Sequence, residues 1–197
     1  MDERQTAPSP ERNKGPILEV LRRVMPARGL VLEIGSGTGQ HVAHFAAALP
    51  SLAFQPTEMD VTKHGSIRAW VQELGNVRPP IALDASRLPW PIDSADAIVC
   101  INVIHISPWA TTLALMEGAS AILPPDGVLV TYGPYRRGGQ HTAPSNEEFD
   151  GWLKSRNPEW GVRDMEEVEA AAKRAGLRLE DTTAMPANNF VLVFRRY

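Results

Sequence analysis

The stretch VLEIGSGTGQHVAHFAAAL, residues 31–49, limits the fold more than any other part of the chain. An apolar run ends in a turn that carries Gly35, Gly37 and Gly39, and a helical pattern follows from about Gln40 to Leu49. Glycines at alternate positions let the backbone turn sharply and come close to a ligand, because no Cβ stands in the way. The helix that follows aims its first N–H groups at whatever lies over the turn. A buried strand feeding a helix in this way points to an alternating α/β fold.

The rest of the chain continues that alternation. LAFQPTEMD reads as a second strand, and Pro56 places it at a sheet edge or marks its end. GSIRAWVQEL is a helix, IALDAS a short strand, and DAIVCINVIHI an apolar strand running into a loop. WATTLALMEGASAIL is helical, and PPDG turns the chain into the strand VLVTYGPY. MEEVEAAAKRAG is a helix closed by Gly176. LRLEDTTAM and NNFVLVFRRY are strands joined by PANN, with no helix between them. The predicted fold is therefore α/β: a mostly parallel, seven-stranded sheet with right-handed crossovers, helices on both faces and an antiparallel C-terminal strand pair.

At the other end, GPILEVLRRVM starts a helix with Pro16 in its first turn and Ile17, Leu18, Leu21 and Val24 at helical spacing. Residues 1–14 are rich in charge and proline, and two readings stand: a disordered segment, or a lid in which Asn13 and Lys14 fold over the site. Residues 15–197 form one domain, with no internal repeat or linker.

Composition narrows the function classes. Net charge is -3, from 20 Lys+Arg against 23 Asp+Glu, so the chain as a whole has no basic footprint for nucleic acid. No apolar run approaches membrane-spanning length, and MDERQTAPSPERNKG does not resemble a secretion signal, so a cytoplasmic protein is expected. Cys100 is the sole cysteine, which excludes an internal disulfide and a Cys-based metal site. His41 and His44 share a helix without a further ligand at metal spacing, and with His64 they form no site, so no metal is expected.

The acids around the glycine turn choose the ligand. A dinucleotide-binding turn places its third glycine at position 40, where Gln40 stands. Glu33 lies two residues before Gly35 at the end of an apolar strand, a costly place unless it meets a cation or several donors. That combination suits a ligand with an ammonium or sulfonium group, and S-adenosylmethionine (SAM) carries both together with a ribose diol. The competing reading is a tight strand-to-helix turn. Glu58 lies a little over twenty residues past Gly35, where open α/β sheets place the acid that grips ribose hydroxyls. Asp60 competes for that role, and EMD could also cap the next helix. Asp84 ends the third predicted strand, where it can accept from an adenine amino group while the N–H of Ala85 donates to the ring; a turn aspartate before RLPWP is the alternative.

The ordered set LEIGSGTGQH, TEMD and LDASRLPWPIDSADAIVCINVIHI resembles the class I SAM-dependent methyltransferases. More narrowly, RNKGPIL, INVIHISPW, SNEEFDGWLKSRNPEWGVRD and MPANNF resemble the methyltransferase-like 26 family. The resemblance implies a single Rossmann-like methyltransferase domain with SAM as cofactor and S-adenosylhomocysteine (SAH) as product. It implies that Glu33, Gly35, Gly37 and Gly39 hold the methionyl part, with Ser36 inside the same turn, and that Asn102 lies beside them. Glu58 takes the ribose and Asp84 with Ala85 the adenine.

Methyl transfer is an in-line displacement, so the protein chiefly supplies alignment. A base is needed only where the acceptor must lose a proton. Catalytic candidates come from the carboxyl ends of the middle strands. They are His105, flanked by Ile104 and Ile106 and equally readable as packing, and Tyr132 and Tyr135, which bracket Gly133 and Pro134. Trp109, Arg136, Arg137, His141, Asn188 and Asn189 are weaker candidates with solvent or backbone roles as alternatives. The expected acceptor is a small molecule methylated at oxygen, nitrogen or sulfur. A peptide acceptor and a non-catalytic binding module of the same fold are the other readings.

Overall fold

The computed structural model describes residues 3–197. Six strands form one sheet: β1 (Gly29–Ile34), β2 (Leu52–Thr57), β3 (Ala97–Ile101), β4 (Val128–Gly133), β5 (Leu177–Met185) and β6 (Asn189–Arg196). Their order is β2-β1-β3-β4-β6-β5. The first four run parallel, and β6 pairs antiparallel with both β4 and β5. Six α-helices accompany them: α1 (Pro8–Val24), α2 (Gln40–Ala48), α3 (His64–Val71), α4 (Trp109–Ile122), α5 (Pro144–Arg156) and α6 (Met165–Arg174).

Alternate residues of a strand point to opposite faces, and the core divides accordingly. Val31, Val99, Val130 and Val193 pack with Ile17 and Leu21 of α1, Phe45 of α2 and Ile67 of α3. Leu32, Ile98, Leu129 and Phe194 pack with Leu115 and Met116 of α4 and Val168 of α6. Near-continuous apolar strands such as AIVCI are the mark of a sheet buried on both faces.

Three expectations change. The sheet has six strands rather than seven, because IALDAS is not a strand. The chain leading into it pairs with β2 through isolated bridges, Phe54 to Val77 and Thr57 to Ile81. Between them stand Pro79 and Pro80, which have no N–H to donate, so a continuous ladder cannot form. Second, the first helix begins at Pro8, not near Pro16, which lies inside it. Residues 8–14 are thus helical rather than disordered, while residues 1–2 of that segment lie outside the described residues. Gln40 explains the early start: its Oε1 accepts from the Ala7 N–H at 2.6 Å and its Nε2 donates to Glu11 Oε1 at 2.6 Å. Third, α5 forms in SNEEFDGWLKSR, where no helix was read, because of its apolar positions only Leu153 is buried. Pro56 does occupy an edge strand, β2.

Candidate functional site

The carboxyl ends of β1 and β2 meet at the glycine turn. Glu33, at the penultimate position of β1, is 3% exposed, and its Oε2 has no hydrogen-bond partner among the described residues. Burial pushes its carboxyl up to about 7; the Ser36 hydroxyl opposes this and the Glu58 charge adds to it. Gly35 follows at φ +69°, and a Cβ there would sit 2.6 Å from Val103 Cγ2, so only glycine fits. The Ser36 N–H donates to Thr57 O at 2.8 Å, and the Thr57 hydroxyl donates to Glu33 O at 2.8 Å. Glu58 closes the corner: its Oε2 accepts from the Gly37 N–H at 2.9 Å and its Oε1 from the Asp60 N–H at 3.0 Å. Gly39, at φ +93°, starts α2.

The structure therefore brings Glu33, Gly35, Ser36, Gly37, Gly39 and Glu58 into one corner. The corner presents a buried acceptor without a donor beside a second carboxylate, which fits a cationic, hydroxyl-bearing ligand. Asp60, the competitor of Glu58, instead caps the following 3-10 turn by accepting from the Thr62 N–H at 3.1 Å.

Asp84 lies three residues past Ile81, whose carbonyl accepts from the Glu58 N–H at 3.1 Å. Its Oδ1 accepts from both the N–H and the hydroxyl of Ser86, and these bonds hold its carboxyl below the usual range. The turn reading thus describes its present bonds, leaving its second oxygen to a partly exposed pair with Arg87 at 3.2 Å. Ala85 is buried beside it.

The neighbouring strand tips open into a cavity of about 450 Å³. Arg12 and Asn13 of α1, Asn102 after β3, Tyr132 of β4, and Asn146 and Phe149 of α5 line it, with the β5–β6 turn at its rim. Asn102 sits at φ +62°, a left-handed conformation that asparagine tolerates. Asn13 is buried and held by His41, whose Nε2 lies 2.7 Å from Asn13 Oδ1. Burial pushes His41 down to about 4, so it is neutral and donates that N–H. Asn13 Nδ2 is left to face Ser9 Oγ at 3.4 Å and Tyr132.

Of the three catalytic candidates, only Tyr132 lines the cavity. Its hydroxyl is pushed up by burial, with the Asn13 hydrogen bond and the Arg12 charge opposing. His105 is 1% exposed and lies in the packing. Its Nδ1 accepts from the Arg163 N–H at 3.1 Å, and its ring meets Tyr135 edge-on at 4.8 Å. A Cβ on Gly133 would fall 2.1 Å from His105 Nε2, so backbone closes off the other nitrogen. Burial lowers its pKa to about 3. Enclosed in this way, His105 stands in the packing and outside the cavity lining. Tyr135 also stands outside the cavity lining. It is fully buried, its hydroxyl donates to Thr131 Oγ1 at 2.7 Å, and burial raises its pKa far above the ordinary value.

Comparison with known proteins places these features in a family. Residues 4–196 match the family described as "Protein of unknown function (DUF938)". The chain belongs to the DUF938 family. Solved structures share the fold of this DUF938 chain at low sequence identity. CalO1, a methyltransferase in calicheamicin biosynthesis bound to SAH, is 20% identical with a TM-score of 0.74 over 94% of this chain and 54% of its own. An O-methyltransferase family protein from Burkholderia thailandensis is 16% identical, with a TM-score of 0.79 over 95% and 57%. Human N-acetylserotonin methyltransferase in complex with SAM is 13% identical, with a TM-score of 0.78 over 95% and 52%. The fold is thus the Rossmann-like methyltransferase fold, and the DUF938 chain spans about half the length of these proteins. No helix among the described residues is long and apolar enough to cross a membrane.

Sequence reasoning missed Gln40 and His41 as the anchors of α1 and Arg12 as a cavity residue. A signal for the first was present, since Gln40 breaks the dinucleotide pattern at a helix start. Nothing in the spacing marked the others.

Proposed function

We propose that the protein is a cytoplasmic SAM-dependent methyltransferase acting on oxygen, nitrogen or sulfur of a small molecule, akin to the methyltransferase-like 26 proteins. One observation carries the reading: Glu33 is a buried carboxyl with an unpartnered oxygen beside a glycine turn that a second carboxylate stitches shut. Glu33 holds the ligand's ammonium, Glu58 its ribose diol, and Asp84 with the Ala85 N–H its adenine. Gly35, Ser36, Gly37 and Gly39 let the backbone approach, and Asn102 flanks the methionyl end while facing the cavity.

SAM bound there supplies a methyl group on positive sulfur, which leaves as SAH when an acceptor lone pair takes the carbon. The protein's own share is alignment and exclusion of water, and alignment alone lowers such barriers by roughly 7–11 kcal/mol. Among the described residues Arg12 and Tyr132 are the only ionisable side chains lining the cavity, and burial pushes the Tyr132 hydroxyl away from acting as a base. Tyr132 acts as a hydrogen-bond donor that orients the acceptor, with Asn13 folded over beside it as the lid residue. The arrangement therefore suits an acceptor that arrives with a free lone pair and needs no base.

Calorimetry with SAH and with NADH tests the cofactor, and SAH formation from SAM in the presence of small-molecule extracts tests turnover. SAH binding without NADH binding is expected. Tight NADH binding alone would overturn the assignment, and SAH binding with no turnover over many acceptors would favour a binding module.

A further inference from the structure

We infer that the methyl acceptor carries a carboxylate, held by Arg12 in the 450 Å³ cavity. The inference rests on the methyltransferase reading and deepens it. Arg12 is exposed, lines the cavity, and has no hydrogen bond or ion pair with any described residue. Its neighbour Glu11 cannot neutralise it, since that carboxylate is taken by Lys14 Nζ at 2.7 Å and Gln40 Nε2 at 2.6 Å. Among the described residues no aspartate or glutamate lines the cavity, and the only formal charge they bring to it is positive.

The rest of the lining agrees in sign. Helices α1 and α5 both begin at the rim with Ala-Pro-Ser, at residues 7–9 and 143–145, and neither has a side chain capping its first turn. Ser9 and Ser145 face the cavity, so two positive helix ends add to the Arg12 field. The walls are otherwise apolar or neutral: Phe149, Pro134 and the Tyr132 ring on one hand, and the amides of Asn102 and Asn146 on the other. Asn146 Nδ2 donates to Asn188 O at 2.9 Å and to Thr142 Oγ1 at 3.1 Å, which leaves its oxygen for the ligand.

Charge count decides between anions. One guanidinium matches one carboxylate in a two-pronged pair, whereas a phosphate dianion would need a second cation. The cavity's volume suits a molecule of one or two rings or an equivalent chain. Such an acceptor lies with its carboxylate on Arg12, its body between Phe149 and Tyr132, and its nucleophilic atom towards Asn102.

Ligand-observed NMR on protein saturated with SAH tests this with matched pairs: benzoate and benzamide, 4-hydroxybenzoate and its amide, phenylacetate and phenylacetamide. Carboxylates are expected to bind at least ten-fold more tightly than their amides. Arg12→Gln should abolish that preference, and Arg12→Lys should keep part of it. Equal or absent carboxylate binding, or a preference that survives Arg12→Gln, would overturn the inference. Phenyl phosphate binding more tightly than benzoate would overturn the carboxylate in favour of a phosphate. Calorimetric titration of SAH into the same proteins before SAH is added for the NMR reports separately on the cofactor reading, which stands or falls whatever the fragments do.

Discussion

Two buried polar side chains at neighbouring strand tips look alike in sequence and differ in kind. Glu33 is the penultimate residue of β1 and His105 follows β3, each alone among apolar residues, and each has one buried atom without a partner. At His105 the surroundings finish the job: Arg163 donates to one nitrogen, while the Gly133 backbone and the Tyr135 ring enclose the other. Burial holds the ring neutral, and its one unpaired N–H costs less to enclose than an unpaired charge. At Glu33 the surroundings make matters worse, since burial and a second carboxylate both resist its ionisation. A polar group that its neighbours enclose in neutral form belongs to the fold, and a carboxyl whose neighbours oppose its ionisation points to a ligand.

Glu33→Gln tests the comparison with the largest effect. SAH affinity should fall at least about hundred-fold, or nearly 3 kcal/mol. Without ligand, the same variant should be more stable than the wild type at pH 8 by on the order of 3 kcal/mol, because it removes a carboxyl whose folded pKa is raised from 4.5 to about 7. The sign is fixed by that shift. Wild-type stability from this group is fully present below 4.5 and lost as pH rises through 7, so the gain should vanish near pH 4.5. Chemical denaturation from pH 4.5 to 8 measures it, and a variant less stable than wild type at pH 8 would break the comparison.

Gly133→Ala attacks the other side. Its Cβ would drive into His105 Nε2, so a loss of about 2–3 kcal/mol is expected with SAH affinity per folded molecule unchanged. Unfolding free energies with and without SAH separate the two quantities.

His105→Gln sharpens the contrast through pH. The folded pKa of His105 is lowered from 6.5 to about 3, so its contribution is present above 6.5 and lost as pH falls towards 3. The variant's deficit should therefore shrink by about 2 kcal/mol between pH 7 and pH 5, opposite in direction to the pH dependence contributed by Glu33. A bell-shaped activity profile that moved with His105 would restore it as a base.

The smallest effect is at Asp84. Asp84→Ala should lower SAH affinity about ten-fold and loosen the turn by about 1 kcal/mol, since Ser86 loses its acceptor. Unchanged affinity would leave Asp84 with the turn alone.

The contrast also shows what a sequence reveals. Strand and helix alternation, the antiparallel end and the edge position of β2 were legible, because period and proline chemistry act locally. The missing strand was legible in principle, since Pro79 and Pro80 stand in its path, but IALDAS looked apolar enough to override them. The start of α1 was not legible, because its fixing partner Gln40 is 33 residues from Ala7. His105 and Tyr135 could not be sorted from Tyr132 either, since the neighbours that bury them come from Gly133, Thr131 and Arg163 through folding. That Glu33, the glycine turn and Glu58 come together was legible, because an acid, a glycine turn and a second acid repeat a local geometry that the backbone itself enforces.

Proton release on SAH binding tests the central claim most directly. Calorimetry at pH 6 in two buffers of different ionisation enthalpy counts the protons exchanged. Glu33, protonated at that pH, must ionise to take the ligand's ammonium, so wild type should release close to one proton and Glu33→Gln none. SAH binding with no proton exchange, or no SAH binding at all, would contradict the account.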